Sequence, residues 1–186
     1  MASADLERAA QAIEAFLTAL GQDPSADPEL KQTGARVAQA FHDDLLSGYR
    51  MDPATILGDT CASASEDLVI LTGIATTTVC PHHLLPSTGV AHVAYLPTGK
   101  LAGLGAIARL VQCFARRLAL QEQVARNVAS ALVEHLGATA AGCVVNLEPS
   151  CMIARGERQV GARAISVAFA GDAPPEFRRA FLERVR

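Results

Sequence analysis

The sequence contains no tryptophan, two tyrosines and six phenylalanines, so large aromatic side chains are scarce. Half of the 186 residues are nevertheless hydrophobic, and the core must therefore be built from Ala, Val, Leu and Ile. Small aliphatic side chains of this kind suit helices packed against a sheet. The length is sufficient for one domain with its own core.

Positive charge is not in excess, because 16 Lys and Arg face 19 Asp and Glu, giving a formal net charge of −3. Without a basic surface, and with few aromatics for base stacking, nucleic acid is not an expected partner. A local group of arginines could still bind an anionic small molecule.

Long apolar runs are also missing, and no basic stretch followed by an apolar segment is found near the first residues. These absences argue against a membrane span and a secretory signal. The five cysteines are odd in number and scattered, which is typical of a reducing compartment. We therefore expect a cytoplasmic protein whose cysteines are core residues or metal ligands.

The order of the predicted elements, helices, a hairpin, helices and a second hairpin, indicates an α+β protein with antiparallel strand pairs. Helices are expected over 3–20, 28–47, 105–117 and 119–136, strands over 68–79, 90–96, 141–147 and 160–170, a loop over 58–66, and a short charged C-terminal helix or tail from 174. This order divides the chain into a helical N-terminal region, 1–52, and a larger α+β domain, 53–186.

The densest chemical signal is Cys80-Pro81-His82-His83, which follows a predicted strand. Zinc prefers thiolate and imidazole ligands, and a catalytic zinc site keeps three protein ligands and one open position. Cys151, at another predicted strand end, is the best third ligand. From spacing alone, a core cysteine and two surface histidines explain the pattern equally well, and a Cys-Cys-His site could also hold Fe(II). His82 could be an acid–base group or a hydrogen-bond partner of the site.

Several separated motifs between about Thr33 and Ser166 resemble the GTP cyclohydrolase I family in order and approximate spacing. They are Cys80-Pro81-His82-His83-Leu84-Leu85-Pro86, Val93-Ala94-Tyr95-Leu96-Pro97, Gly103-Leu104, Ala108-Arg109-Leu110-Val111, Phe114-Ala115-Arg116-Arg117-Leu118, Gln121-Glu122, Cys151-Met152 and Arg155-Gly156. The resemblance implies a tunnelling fold, an antiparallel sheet with helices on one face, and a decameric ring of identical subunits with active sites at subunit interfaces.

The resemblance also implies residue roles. Cys80, His83 and Cys151 match the zinc ligands, and a water activated by the metal would attack C8 of the purine. His82 matches a histidine that would protonate a nitrogen of the imidazole ring.

Substrate contacts follow from the same match. Gln121 and Glu122 match residues that hold the guanine edge, and Arg36, Arg109 and Arg155 match residues that meet the triphosphate. Arg116 and Arg117 are expected at the surface or at an interface.

This chain departs from the family pattern at four places. Gly105-Ala106 replaces a Ser-Lys pair near the triphosphate, and Pro149 replaces a histidine two residues before the second zinc cysteine. Pro81 stands where the family has Glu, and residues 157–164 carry fewer Ser and Thr. The lost ammonium corresponds to about 1–3 kcal/mol of charge-assisted contact.

These departures leave three functions open. The first is hydrolytic opening of the imidazole ring of GTP, giving formate and dihydroneopterin triphosphate, or stopping at ring opening. The second is a zinc hydrolase of the same family acting on a less phosphorylated purine or a related N-heterocycle. The third is a non-catalytic paralogue that binds a ligand.

Overall fold

The computed structural model describes residues 5–185, so residues 3 and 4 of the first expected helix lie outside the described part. One compact unit ends at Ser47 and a second begins at Gly48. The position at which the N-terminal region separates as a domain, expected after residue 52, stays a prediction. None of the described helices is long and apolar enough to cross a membrane.

The first unit is helical. It contains α1 (Leu6–Ala19), α2 (Thr33–Ala40) and a π-helical turn over Phe41–Leu45. The Asp5 carboxylate accepts from the Arg8 amide at 2.9 Å and caps α1. The second helix was predicted to begin at residue 28, which is wrong. Asp27 instead closes a turn by accepting from the Glu29 amide, and Gln32 takes φ +66°, so α2 starts only after it.

Among the residues that the structure describes, the second unit contains five further α-helices and six strands, preceded by a 3-10 turn over Ser47–Arg50. The helices are α3 (Pro53–Ile56), α4 (Leu104–Ala115), α5 (Gln121–Leu136), α6 (Ser150–Ile153) and α7 (Pro175–Arg184). The strands are β1 (Thr60–Ala62), β2 (Val69–Val79), β3 (Pro86–Leu96), β4 (Lys100–Ala102), β5 (Ala140–Pro149) and β6 (Ala164–Gly171).

A four-stranded sheet in the order β2-β3-β5-β6 organises this unit, and every neighbouring pair is antiparallel. The α+β class with antiparallel pairs is confirmed. β1 and β4 form a separate two-stranded sheet, so the predicted loop over 58–66 contains a short strand. The last strand begins at Ala164 and not at residue 160, because Arg158 (φ +50°) and Gly161 (φ +82°) interrupt extended backbone.

The two faces of the sheet are covered differently. Alternate residues of β5, including Cys143 and Val145, pack with α4 and α5 in the main core. The intervening residue Val144 packs with Phe177 and Phe181 of α7. The helices expected on one face are therefore α4 and α5, and α7 covers part of the opposite face.

Candidate metal centre

A tight turn joins β2 to β3 and carries the first two expected ligands. The Leu84 amide donates to the Cys80 carbonyl at 2.9 Å, and the Cys80 amide donates to the Leu85 carbonyl at 3.0 Å. Leu84 adopts φ +55°, which reverses the chain within this turn. Cys80 and His83 consequently lie on the same side, with Cys80 Sγ 3.9 Å from His83 Nδ1.

The third expected ligand reaches the turn through the register of the sheet. Val79 pairs with Pro86 across β2 and β3, and Ser87 pairs with Pro149 across β3 and β5. The chain enters α6 directly after Pro149, which places Cys151 beside the turn. One ligand atom from each of Cys80, His83 and Cys151 lies within 4.8 Å of the other two.

This donor set fits a thiophilic metal ion. Both cysteines are free thiols, and they are partly buried. Ligand atoms around a tetrahedral zinc ion, at about 2.0–2.3 Å from it, are about 3.5–3.8 Å apart. The observed group is slightly wider, so a modest inward movement of these side chains would complete it. Three ligands leave one position open, as a catalytic site requires.

Arg155 contacts the same imidazole. Its Nη1 lies 3.0 Å from His83 Nε2, and a guanidinium can only donate, so Nε2 must accept in this arrangement. A neutral imidazole has one lone pair for either a metal or a donor. If Nδ1 binds the metal, Nε2 carries the proton and cannot accept from Arg155. If Nε2 binds the metal, its lone pair is already used, and Nε2 again cannot accept from Arg155. The His83–Arg155 contact and metal binding by a neutral His83 are therefore mutually exclusive.

His82 is exposed and adjacent to the cluster. Its ring centroid lies 6.3 Å from that of His83, and the two rings are nearly perpendicular at 84°. The two neighbouring imidazoles therefore present their nitrogens in different directions. One can bind a metal while the other faces a substrate.

Gln121 and Glu122 begin α5, and the structure gives them different surroundings. Gln121 Nε2 donates to Ser166 Oγ on β6 at 3.0 Å, so its amide group is anchored to the sheet. Glu122 lines an open cavity of about 420 Å³ between α5 and β6. The remaining lining residues are Arg126, Ile165, Ser166, Val167, Ala168 and Phe169. Sequence reasoning missed Ser166 and Arg126, although Arg126 lies one helical turn after Glu122.

The three expected phosphate-binding arginines are separated along the chain. Arg36 is exposed on α2 in the first unit, and Arg109 is exposed on α4. Arg109 Nη1 lies 3.3 Å from where a Cβ on Gly105 would be, so the arginine covers the position at which the family has serine. Of the three, Arg155 is the one that contacts the cluster.

The cysteines divide into classes that alkylation can distinguish. Burial raises the pKa of the Cys143 thiol to about 12, so only about one part in 10⁴ is thiolate at pH 8. Burial also raises the pKa of Cys113. Cys61 is exposed. Because the thiolate is the reactive form, we expect iodoacetamide to label Cys61 at once and Cys143 only after unfolding.

The expected ligands should respond to metal. Cys80 and Cys151 are predicted to be protected in zinc-loaded protein and labelled after chelation, as measured by peptide mass spectrometry. Labelling of both at the rate of Cys61 in the presence of saturating zinc would contradict their assignment as ligands.

Comparisons with known proteins agree over most of the chain. A sequence model of the family described as GTP cyclohydrolase I matches residues 9–186. The chain is 41% identical over 169 residues to GTP cyclohydrolase 1 of Corynebacterium glutamicum, covering 90% of this chain and 85% of the relative. It is 39% identical over 178 residues to GTP cyclohydrolase 1 of Chromobacterium violaceum, covering 94% and 85%. The archaeosine synthase QueF-Like in its apo form is similar over 59% of this chain and 99% of its own, with a TM-score of 0.49 and 20% identity.

Proposed function

Because this chain belongs to the GTP cyclohydrolase I family, we propose that it opens the imidazole ring of GTP at C8 by hydrolysis, using zinc held by Cys80, His83 and Cys151. The observation that carries the proposal is the convergence of these three ligand atoms within 4.8 Å. A zinc ion in such a site supplies Lewis acidity and brings the pKa of a bound water near neutrality.

His82 is the proposed proton-transfer group. Its exposed ring stands nearly perpendicular to that of His83, which leaves it accessible to a substrate beside the cluster. Addition of hydroxide at C8 places electron density on a ring nitrogen, and the C8–N bond breaks more readily once that nitrogen is protonated. His82 would donate this proton. Pro149 cannot contribute a second acid–base group, so His82 carries more of the proton transfer than in the family pattern.

Glu122 is the proposed purine anchor. A carboxylate accepts from both the ring N–H and the exocyclic amine of guanine, which a neutral side chain does less well. Its position in an open cavity supports this role. Gln121, held by Ser166, contributes by fixing the first turn of α5 and by presenting its remaining amide oxygen.

We propose that Arg155, Arg109 and Arg36 bind the triphosphate of the substrate. Guanidinium groups bind phosphate oxygens in a bidentate manner. The first turn of α4 has no side-chain cap, so the helix dipole adds positive potential at the start of the helix that carries Arg109. The charge of the missing lysine at Ala106 is not replaced on α4.

Removing the Arg155 side chain should therefore affect the affinity for zinc and the affinity for a polyphosphate differently. We expect Arg155→Ala to bind zinc as tightly as the parent chain or up to about 10-fold more tightly, because a competitor for the His83 lone pair is gone. The same variant should bind inorganic tripolyphosphate roughly 10-fold more weakly. Chelator competition measures the first and calorimetry the second. Arg126→Ala, with a similar change in charge, is the control, and equal effects of the two variants would contradict the specific role of Arg155.

A homo-oligomer, and by resemblance a decameric ring, belongs to this proposal. β2 and β6 are the two edges of the four-stranded sheet, and the outer side of β2 is bridged at Val79 by Leu118. An unpaired edge offers backbone donors and acceptors to another copy. Light scattering after size-exclusion chromatography tests the subunit number, and a monomer at working concentrations would remove this part of the proposal.

The experiment that decides between substrates is product analysis by mass spectrometry. Zinc-loaded protein is incubated with GTP, guanosine and free purines. Ring-opened product or formate from GTP alone supports the proposed reaction. Equal rates with and without phosphates favour the less phosphorylated substrate class indicated by Gly105-Ala106, and ligand binding without turnover favours a non-catalytic protein. Stoichiometric zinc without ring opening of GTP would refute the proposed reaction.

A further inference from the structure

Arg117 lies between α4 and α5, where sequence reasoning expected a surface or interface residue, and the structure partly buries it. Its Nε and Nη2 donate to the Gly48 carbonyl at 3.2 and 2.9 Å, and Nε also donates to the Cys113 carbonyl at 2.6 Å. Nη2 lies 3.2 Å from Cys113 Sγ. The guanidinium also lies over the rings of Tyr49 (5.5 Å) and Phe114 (5.2 Å). One side chain therefore ties the C-terminal end of α4 to the segment at Gly48.

The close approach at this point depends on Gly48. A Cβ on Gly48 would lie 2.5 Å from the Cys113 carbonyl oxygen, so another residue would separate the two segments. The Gly48 amide donates to the Arg116 carbonyl at 3.0 Å. The last carbonyls of a helix lack partners within the helix, and here Arg117 and Gly48 satisfy two of those near the end of α4.

The backbone of Arg117 is also hydrogen-bonded to the end of β2. The Val79 amide donates to the Arg117 carbonyl at 3.4 Å, and the Ala119 amide donates to the Val79 carbonyl at 3.1 Å. The hydroxyl of Thr78, itself buried, lies 3.4 and 3.3 Å from the carbonyls of Arg117 and Ala119. Residues 117–119 thus form a short parallel bridge beside residues 78–79.

The two segments that continue from this bridge both lead directly to residues of the proposed site. Cys80 follows Val79 on one side, and Glu122 comes three residues after Ala119 on the other. We propose that Arg117 is a positioning residue. Through this bridge it fixes the position of the turn that carries Cys80 and His83 relative to the first turn of α5, where Glu122 lies. The inference rests on the proposed function for its catalytic consequence, but the bridge itself can be tested without it.

The physical reason is that the bridge contains few backbone hydrogen bonds and would move without its side-chain anchor. A displacement of about 1 Å of a positioned group can cost roughly 100-fold in rate, and loss of supporting contacts around metal ligands costs about 10–100-fold in metal affinity. Charge-assisted bonds to carbonyls with two aromatic contacts provide such an anchor.

The test compares Arg117→Ala, Arg117→Lys and Arg178→Ala in the full chain. Arg178 is a matched control, because it donates to the Ala173 carbonyl at 2.8 Å and lies over the Phe169 ring at 5.0 Å, but it belongs to α7. The measurements are zinc affinity by chelator competition, kcat and KM for GTP, and exchange of the Val79 and Ala119 amides followed by mass spectrometry. All are made at a temperature where circular dichroism shows each variant folded.

We expect Arg117→Ala to weaken zinc binding about 10-fold, to lower kcat roughly 10–100-fold with a smaller change in KM, and to accelerate exchange of both amides. Arg117→Lys should recover part of each effect, since it keeps the positive charge and an N–H donor group but not the planar guanidinium. Arg178→Ala should lower thermal stability without changing zinc affinity or exchange at the bridge.

Two results would overturn the inference. One is an Arg117→Ala protein that is folded and exchanges these amides at the parent rate. The other is an equal change in every readout for the Arg117 and Arg178 variants. If Arg117→Ala does not fold, Thr78→Val removes the hydroxyl at the same bridge, and unchanged exchange and zinc affinity in that variant would overturn the inference. A parent chain that binds no zinc would refute the proposed function, whereas amide exchange would still decide the role of Arg117.

Discussion

Replacing Cys151 by alanine is expected to leave the protein without stoichiometric zinc and to lower turnover of GTP by about 10³-fold or more. The reason is the size of the ligand set, since Cys80 and His83 alone would leave two of four positions without protein ligands. Metal analysis of the purified, dialysed protein measures the first effect and formate release the second.

Cys61→Ala is the matched control for that experiment. Cys61 is also a free thiol of the same unit, but it is exposed on β1 and outside the cluster. This variant should keep both zinc and activity. If the Cys151 variant retained one zinc per chain at parent affinity, the thiolate–imidazole–thiolate site would have to be abandoned.

The second large effect is expected for His82→Gln. Removing a general acid–base group costs about 10²–10⁴-fold in rate, and Pro149 leaves this chain without the second histidine that would soften the loss. Zinc content should stay at the parent value, because His82 is not among the three ligand residues. The reduction should appear in kcat, with KM for GTP nearly unchanged, as measured by steady-state kinetics.

His135→Gln controls for the loss of an imidazole. His135 lies in the last turn of α5, about 20 Å along the helix axis from Glu122. We expect its kinetics to match those of the parent chain. A His82 variant with parent kcat would show that another group transfers the proton, and a His82 variant without zinc would assign His82 to the metal site instead.

Local patterns predicted most of the second unit correctly. The enrichment of 68–79 in Val, Ile, Leu and Thr and the apolar segment 141–147 indicated strands that the structure places in β2 and β5, and the helices expected over 105–117 and 119–136 match α4 and α5. Two of the errors, the start of the second helix and the start of the last strand, come from backbone torsions. Gln32 and Arg158 adopt left-handed backbone torsions, and for this reason one helix and one strand are shorter than predicted. The hydrophobic periodicity of a sequence does not encode such torsions.

The sequence predicted those parts of the candidate site whose residues lie close together along the chain. Two residue types suited to zinc stand three apart in Cys80 and His83, and that spacing is short enough for a turn to bring them together. The contact of Arg155 with His83 joins residues 72 apart, and the burial of Arg117 depends on a segment 69 residues earlier. No periodic pattern carries such information.

By itself, the sequence determined the candidate metal-binding side chains, the family and the order of the longer helices and strands, because these depend on residue type and short-range periodicity. Tertiary structure alone decided that Cys151 reaches Cys80 and His83, that Arg155 Nη1 lies 3.0 Å from His83 Nε2, and that the Arg117 side chain is hydrogen-bonded to the Gly48 carbonyl. The reason is the sheet register. Pairing of β2 with β3 and of β3 with β5 aligns strand ends far apart in the chain, and that register follows from burial of one face of the whole sheet.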